Sequence, residues 1–481
     1  MKKKSLKRAF LSNSSGILIS RISGFFRDIL MAHMLGASIF SDIFFVAFKL
    51  PNLFRRLFAE GAFTQAFLPS LIMAKKKTSF ISASFALFFA IILVLCLLVF
   101  YFQHAVTDLI AAGFSDDKLK LAAPLVALNF WYLLFIFTAS FFGVLLQYRH
   151  VFWPSAYSSI LLNLGMIFAL FFAADYRDIQ IVYFLSYGVL IGGVAQILLH
   201  FYPLLKYRFW RIFRAGFSSI FIFMHKKKLH SRDSFLHSLK SFLKQFLSSF
   251  LGSTTAQFAA FIDTILASFL VSGSISHLYY ANRIFQLPLA LFAIATSMAI
   301  FPKLIRQIRD KNDAEANLIL KNSFWFLLIL LCACALGGIM LRNEIIFILF
   351  ERGEFTRSDT LTTASIFGAY LMGLVPFGIC KIFSLVLYAR GHQGRAALFS
   401  GISLIFGTAI GAILMQFFGA FGLALGSSVG GFVLLLLTLK EYGFAHFINI
   451  LFYKKGILAL ILVLFLEFFS ILLFLHFLSL R

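Results

Sequence analysis

The amino-acid sequence predicts an all-α protein that crosses a membrane many times. Hydrophobic residues make up 61% of its 481 residues, and only 13% are charged. The mean hydropathy of +0.92 is far above the values of soluble globular proteins. A transmembrane barrel would need alternating segments of about ten residues, whereas runs such as 91–100 are apolar without alternation. We therefore expect spanning helices and not spanning strands.

The apolar stretches predict thirteen transmembrane helices, because about 20 predominantly apolar residues are needed to cross a bilayer. The predicted spans are 9–34, 38–58, 80–103, 121–147, 153–174, 179–203, 246–271, 276–301, 319–341, 360–388, 396–417, 419–439 and 456–478. The stretch 59–71 is also apolar, and it either extends the second span or lies in the interface. The first stretch contains Arg21, Arg27 and Asp28 and no small-residue cleavage site, so we expect it to remain as the first helix.

Basic residues predict the orientation of the chain. With a cytoplasmic amino terminus, 29 of the 43 Lys and Arg residues fall in inner segments, seven fall outside and seven lie within spans. This bias predicts a protein of the bacterial cytoplasmic (inner) membrane with its amino terminus inside. The net charge of +24 is spread over the connections, so we attribute it to anionic membrane lipids and not to nucleic acid.

The chain also carries a weak internal repeat. The segment 36–51 aligns without a gap on 273–288, and each lies in the second span of a six-span block. An even number of spans per block gives both blocks the same orientation, which predicts a pseudo-twofold axis along the membrane normal. The predicted domains are a six-helix lobe over 1–205, a basic interfacial linker over 206–244, a second six-helix lobe over 245–442 and an extra helix over 443–481.

Charged residues inside the first two spans of each lobe are the candidate site. A charge at the bilayer centre costs about 2.5–3.5 kcal/mol or more, and it normally faces a polar cavity or a partner. The candidates are Arg21, Arg27, Asp28, Asp42, Arg55, Arg56 and Glu60 in the first lobe, and Asp263 and Arg283 in the second. Seven cations against five acids within the spans predict a positive cavity for an anion.

Guanidinium groups suit pyrophosphate, because they bind two oxygens at once and stay charged when desolvated. For Arg21, Arg27 and Arg283 the alternative to anion contact is structural ion pairing. For Arg55 and Arg56 it is extension to the inner interface. Glu467, in the last span, either belongs to a polar lining or lies near a helix end.

Several motifs resemble those of one family. The segments SRISGFFRD at 20–28 and DIFFVAFKLPNLFRRLFAEGAF at 42–63 closely resemble the opening signature of the MurJ/MviN lipid II flippases. YYANR at 279–283, RGEFT at 352–356 and YAR at 388–390 are similar to later family blocks in the same order. The resemblance covers about residues 5–440, and it implies the superfamily that also holds multidrug and polysaccharide exporters.

The resemblance implies a substrate and a set of contacts. The substrate would be lipid II, the undecaprenyl-pyrophosphate-linked precursor of peptidoglycan, moved to the outer leaflet by alternating access. Arg21, Arg27, Arg55 and Arg283 match the cavity arginines of the family, and Asp28, Asp42 and Glu60 match its cavity acids. Enzymes that make or consume the precursor are candidate partners, and no cofactor is implied.

The sequence departs from the family at two points. Asp263 resembles a ligand of the sodium ion that some members bind, but the span 396–417 has no carboxylate or Asn. We therefore predict no metal site and keep Asp263 as a candidate for energy coupling, with Arg283 or Lys381 as its alternative partner. The family commonly has fourteen helices and this chain thirteen, so the lipid-tail groove attributed to helices 13 and 14 is expected to be incomplete or differently made.

Three other functions are the alternatives to this one. A flippase for another polyprenyl-linked glycan fits the same charges. A multidrug exporter of cations would favour surplus carboxylates, which is opposite to the surplus found. A membrane glycosyltransferase or ligase would need catalytic carboxylates or His in sizeable outer loops. The candidate residues of such an enzyme are better explained as hydrated loop charges; they are Asp108, Asp116, Asp117 and the acids of 344–359. We therefore predict a transporter without catalytic residues.

Overall fold

The computed structural model describes residues 3–55, 62–225, 238–248 and 261–479, and within these ranges the chain forms helices joined by short turns and no strands. It divides into two compact units, Met1–Ile265 and Leu266–Arg481. The predicted helical membrane fold is confirmed.

The helices of the first unit follow one another with short connections. They are α1 (Lys3–Leu35), α2 (Ile39–Arg55), α3 (Ala62–Met73), α4 (Lys77–Tyr101), α5 (Gln103–Ile110), α6 (Asp116–Phe130), α7 (Tyr132–Tyr148), α8 (Trp153–Phe172), α9 (Ile179–Lys206), α10 (Phe209–His225) and α11 (238–248). A further short helix, α12, covers 261–268. The predicted basic linker thus contains two helices, α10 and α11.

The second unit repeats this helical pattern. Its elements are α13 (Ser274–Pro288), a π-helix (Leu289–Ile294), α14 (Ala295–Arg309), α15 (Asp313–Met340), α16 (Arg342–Phe350), α17 (Arg357–Leu371), α18 (Leu374–Ala389), α19 (Gln393–Tyr442), α20 (Phe444–Leu451) and α21 (Lys454–Ser479).

Within the described ranges, nine helices or runs of joined helices are long and apolar enough to cross a membrane. The α1 and α2 helices are not among them, since α2 has only 17 residues and α1 is rich in polar side chains. The seventh predicted span lies partly outside the described residues. The total of thirteen and the predicted domain boundaries therefore stay predictions.

Helix α19 is a hairpin and not a single 50-residue rod. Gly419 has φ 55° and ψ −135°, which breaks the helix and is accessible mainly to glycine. On either side, Ser403 donates a hydrogen bond to the Gly430 carbonyl at 2.6 Å. An added Cβ on Gly407 would lie 3.0 Å from the Gly426 carbonyl oxygen. The two halves, which match the predicted spans 396–417 and 419–439, therefore pack antiparallel along a seam of glycines.

The first unit contains a matching seam between α8 and α9. An added Cβ on Gly165 would lie 3.0 Å from the Cα of Gly192, and one on Gly192 would lie 2.8 Å from the Cα of Leu162. Close approach of two helices requires small residues at such contacts. The fifth and sixth predicted spans of both lobes thus form glycine-packed hairpins.

The internal repeat also has a structural counterpart at its first residue. Gly36 and Gly273, which the alignment pairs, both have left-handed backbones, with φ 60° and φ 91°. Gly36 lies three residues before the start of α2, and Gly273 immediately precedes α13. In the second unit, Pro288 is followed by the π-helix Leu289–Ile294, which adds a wider turn before α14.

Helix α11 is fixed to the first unit by an aromatic core. The ring of Phe242 is fully buried, with centroids 5.9 Å from Phe63, 5.7 Å from Phe67 and 5.5 Å from Phe88. Ser70 and Gln245 add a side-chain hydrogen bond of 3.3 Å. The described end of the linker is therefore part of the packed unit and not a free tether.

Candidate functional site

Arg27 lies inside the first unit and not on its surface. Its side chain is 10% exposed and that of Asp28 is fully buried, with a guanidinium–carboxylate contact of 2.5 Å. The Nε of Arg27 also donates to Asp28 at 3.0 Å, and Nη1 donates to Asn163 at 3.1 Å. The predicted alternative of ion pairing therefore describes the geometry of Arg27 in this conformation.

Asn163 links this ion pair to the backbone of α1. Its side-chain NH₂ donates to the Ser20 carbonyl and to the Ser23 hydroxyl, both at 3.0 Å. The two helices approach closely, because an added Cβ on Gly16 would lie 2.9 Å from the Cβ of Ala156. A glycine contact and a polar network thus hold α1 against α8.

Arg21, six residues before Arg27, lies on a different side of α1. Its side chain is exposed, whereas Gly24 and Arg27 are buried. About 100° of rotation per residue accounts for the separation. Of the two arginines, Arg21 is therefore the one whose charge reaches the surface of the unit.

Helix α2 places an acid and a cation at opposite ends. Asp42 is 2% exposed and lies in the first turn, where a carboxylate favours the positive end of the helix dipole. Arg55 is half-buried in the last turn and donates to Asn52 at 2.9 Å and 3.3 Å. The structure therefore does not bring Arg55 and Asp42 together on α2.

The other predicted residues of the first unit are only partly described. Arg56 and Glu60 lie outside the described residues. Asp263 is exposed on α12, within electrostatic range of Lys49 on α2. This makes Lys49 a nearby cation for Asp263, one that the sequence did not suggest.

Arg283 is half-buried on α13 of the second unit. The start of α13 is held by His277, whose Nδ1 lies 2.8 Å from the Thr363 hydroxyl and whose Nε2 lies 3.7 Å from Asp359. Asp359 also closes a capping box with Thr356 at the start of α17. The RGEFT motif at 352–356 thus leads into a polar cluster that positions the helix carrying Arg283.

Glu467 lies in the middle of α21, which corrects the alternative of a helix end. Its Oε1 would be 2.7 Å from a Cβ added to Gly337 of α15. Its Oε2 is buried without a hydrogen-bond partner among the described residues. The carboxyl group therefore sits in the notch that Gly337 leaves on the neighbouring helix.

The first unit contains a chamber lined by hydroxyl groups, which was not predicted from the sequence. This chamber has a volume of about 190 Å³ and lies between α3, α7, α8 and α9, with Ser140, Ser155, Ser159 and His200 in its wall. His200 is 1% exposed, and its Nδ1 contacts the Gln196 carbonyl at 2.8 Å. Its Nε2 has no hydrogen-bond partner in the described part of the chain. Polar residues recurring in apolar spans were the available signal.

Known proteins resemble the chain over nearly its whole length. The family model described as lipid II flippase MurJ matches residues 31–480. A Helicobacter pylori (strain ATCC 700392 / 26695) protein named probable lipid II flippase MurJ is 49% identical over 450 residues, covering 94% of this chain and 97% of that protein. A protein of the same name from Buchnera aphidicola subsp. Schizaphis graminum is 33% identical, covering 89% and 82%.

Solved structures give the same result. A structure of lipid II flippase MurJ in an inward closed conformation has a TM-score of 0.75 and 27% identity, and the match covers 95% of this chain and 97% of that one. An inward-facing multidrug transporter of the MATE family has a TM-score of 0.59 at 13% identity, covering 93% and 95%, which shows a shared fold alone. A multi-pass helical membrane fold, charged residues on the first helices and a match over most of its length together show that this chain belongs to the MurJ family of lipid II flippases.

Proposed function

We propose that this protein moves lipid II from the inner to the outer leaflet of the cytoplasmic membrane. The observation that carries the proposal is the 49% identity, over 94% of the chain, to a protein named as a probable lipid II flippase. The head group cannot cross hydrocarbon unaided, because each unsatisfied polar group costs several kcal/mol there. A protein cavity must therefore replace water around it.

In this proposal, arginines bind the pyrophosphate of the substrate in a central cavity. Arg21 is exposed and Arg283 is half-buried, so both can offer guanidinium donors to an anion. Arg55 donates to the neutral side-chain amide of Asn52, and it is the third arginine of the proposed set. Asp28 and Asp42, and Arg56 and Glu60 outside the described residues, complete the proposed set.

Arg27 has two roles to separate. In this conformation its guanidinium is used by Asp28 and Asn163, which supports a role in positioning α1. Direct contact with pyrophosphate requires Arg27 to exchange part of these contacts for phosphate oxygens. The Asp28 carboxylate and the phosphate oxygens are both anionic acceptors, so either of them can accept hydrogen bonds from this guanidinium.

The transport cycle is proposed to be alternating access, with the amino terminus in the cytoplasm. The head group enters from the inner leaflet, the protein changes conformation to expose it outside, and the lipid tail stays in the bilayer. Asp263 is the candidate that couples this cycle to an energy source. Membrane potential, protons and sodium are the three sources to compare.

The test uses cells depleted of their own flippase. We expect the parent protein to restore the external exposure of lipid II. The variants Arg21→Ala and Arg283→Ala should fail to restore it. Arg309→Ala is the matched control, because Arg309 is exposed, pairs with neighbouring Asp310 at 3.3 Å and lies outside the proposed site. Each variant is compared at equal membrane abundance.

Three outcomes would overturn parts of the proposal. A parent that inserts and folds but restores no exposure would shift the substrate to another polyprenyl-linked glycan. Restoration by both arginine variants would keep the flippase function and reject their role in anion binding. Equal losses in all three variants, Arg309→Ala included, would show a general effect of lost positive charge.

A further inference from the structure

A second cavity in the first unit is apolar and lies beside the cytoplasmic interface. It has a volume of about 520 Å³, within the range of about 300–1,000 Å³ that is typical of small-molecule sites. Its wall comes from four helices and includes Phe85, Phe142, Phe201, Leu205, Trp210 and Arg214. All but one of these six side chains are apolar or aromatic, so the interior suits a hydrocarbon chain.

Helix α10 closes this cavity because it is fixed on α4. The Ser82 hydroxyl donates to the Phe213 carbonyl at 3.3 Å, and a Cβ added to Gly216 would lie 2.9 Å from the Cβ of Ser82. The ring of Phe213 lies 5.6 Å from that of Phe85 and 6.2 Å from that of Phe142. The cavity is therefore built by tertiary packing and not by a loosely attached helix.

Exposed aromatic side chains place the cavity at the level of the lipid headgroups. Tyr202 is 69% exposed, Tyr207 is 41% exposed and Trp210 is 64% exposed. Tyr and Trp concentrate where the hydrocarbon meets the headgroups. The turn between α9 and α10 thus marks one membrane interface, which the basic residues of this region identify as the inner one.

The part of the sequence that contains α9 and α10 is basic and has no acidic residues. Between Asp178 and Asp233 the chain has eight Lys or Arg residues and no acid. Arg214 lines the cavity, and the guanidinium of Arg149 lies 5.9 Å from the centre of the Phe209 ring, which also lines it. An apolar interior with a cationic mouth is complementary to a lipid that carries an anionic headgroup.

We propose that this cavity binds an anionic phospholipid of the inner leaflet, with one acyl chain between α4, α7, α9 and α10 and the phosphate at Arg214. Arg149 adds a second positive charge near the headgroup. The site is separate from the proposed pyrophosphate site, and it does not depend on the transported substrate.

Trp210 provides a direct reporter of occupancy. The protein is reconstituted in phosphatidylcholine vesicles that contain a minor fraction of one brominated lipid. This lipid is either phosphatidylglycerol or phosphatidylcholine, and in both cases the bromine atoms are on the acyl chains. The fluorescence quenching that disappears in Trp210→Phe is assigned to this site. We expect brominated phosphatidylglycerol to occupy the site about fivefold more than brominated phosphatidylcholine, the factor that corresponds to about 1 kcal/mol for one cation at the surface.

Matched variants separate the cavity from general attraction to the membrane. Arg214→Gln should remove the preference for phosphatidylglycerol over phosphatidylcholine. Arg211→Gln should keep this preference, since Arg211 is exposed on the same helix but does not line the cavity. Leu205→Trp should exclude the acyl chain, and Leu198→Trp, at an exposed position on α9, should not. For these two Trp variants, the measurement is the amount of phospholipid that remains bound after purification.

Three outcomes would reject the proposal. Equal quenching by the two brominated lipids would show ordinary contact with the bilayer. Equal losses in Arg214→Gln and Arg211→Gln would assign the preference to overall charge. A polyprenyl phosphate could also displace the brominated phosphatidylglycerol more strongly than unlabelled phosphatidylglycerol does at equal mole fraction. That result would assign the cavity to an isoprenoid lipid. None of these results depends on whether the protein flips lipid II.

Discussion

Arg27 shows how a cation is accommodated among apolar helices. Its guanidinium is satisfied by Asp28 and Asn163, so the charge is neutralised within the first unit. Breaking a buried ion pair by removing one partner typically costs about 3–5 kcal/mol, whereas replacing both partners by apolar residues is often neutral. The two roles of Arg27 therefore make different predictions.

The first prediction concerns the pair itself. Arg27→Met and Asp28→Leu should each lower the free energy of unfolding by about 3 kcal/mol, and the double variant should recover most of this loss. The measurement is thermal unfolding of the purified protein, combined with external exposure of lipid II in depleted cells. A double variant that is stable but inactive would assign Arg27 to direct anion contact, and one that is stable and active would assign it to ion pairing.

At this scale the sequence predicted the charges better than their partners. For Arg27, ion pairing was predicted only as the alternative to anion contact, and no partner was assigned to it. Asn163 could not be assigned as the second partner, since it lies 136 residues away and only the packing of α8 on α1 brings it close. The hydrogen bond from Arg55 to Asn52 joins residues one helical turn apart, but the chain does not fix the rotamers that form it.

Helical hairpins packed on glycines are the recurring element of both units. The α8–α9 pair and the two halves of α19 meet through backbone atoms at Gly165, Gly192, Gly407 and Gly426. A side chain at these positions would have to separate the helices. Each hairpin is thus held together by close backbone contact within the membrane.

The second prediction tests this seam in α19. Gly407→Leu should destabilise the protein by about 1–3 kcal/mol, the usual cost of overpacking, because an added Cβ would lie 3.0 Å from the Gly426 carbonyl oxygen and 3.2 Å from the Cα of Gly430. Gly394→Leu is the control on the same helix, where an added Cβ meets nothing within 4 Å. Thermal unfolding in detergent compares the two, and equal stability would contradict the seam.

The third prediction concerns the chamber around His200. A Cβ added to Gly143 would lie 2.5 Å from the Ser155 hydroxyl and 3.3 Å from His200 Nε2, so Gly143→Val should destabilise the protein by about 1–3 kcal/mol. Adding Ser155→Ala should recover part of this loss, because it removes the nearest atom. Differential scanning fluorimetry is suitable, and identical unfolding of the single and double variants would show that Ser155 is not the obstacle.

Much of the element-level structure was present in the sequence. The two spans 396–417 and 419–439 correspond to the two halves of α19, and the paired Gly36 and Gly273 adopt the same left-handed conformation. The glycine seams were not predicted, although small residues four apart, as at Gly407 and Gly411, are a recognised signal for helix contact. Which helix receives each glycine depends on tertiary packing.

On the scale of the whole molecule, the distribution of charge predicts the orientation in the membrane. The excess of Lys and Arg in one set of connections predicts that these connections stay in the cytoplasm. The helical class follows from the composition together with long apolar runs that do not alternate. The end of the seventh predicted span and the domain boundaries cannot be derived in this way, because apolar runs do not mark where one packed unit ends.

The fourth prediction tests that orientation. In a background without the native cysteines, Lys120→Cys should react with a membrane-impermeant maleimide in intact cells, and Arg309→Cys should react only after permeabilisation. Both positions are exposed in the structure, so their difference reports the side of the membrane and not burial. The reverse pattern would place the amino terminus outside.

The π-helix after Pro288 has a consequence for how Arg283 is oriented. A π-helical turn contains about one residue more than an α-helical turn, so it offsets the side-chain register between α13 and α14. The wider turn accommodates this extra residue within Leu289–Ile294, whereas in a regular α-helix one extra residue would rotate the side chains of α14 by about 100° relative to Arg283. The direction of the Arg283 side chain relative to α14 thus depends on a single π-helical turn in an apolar segment.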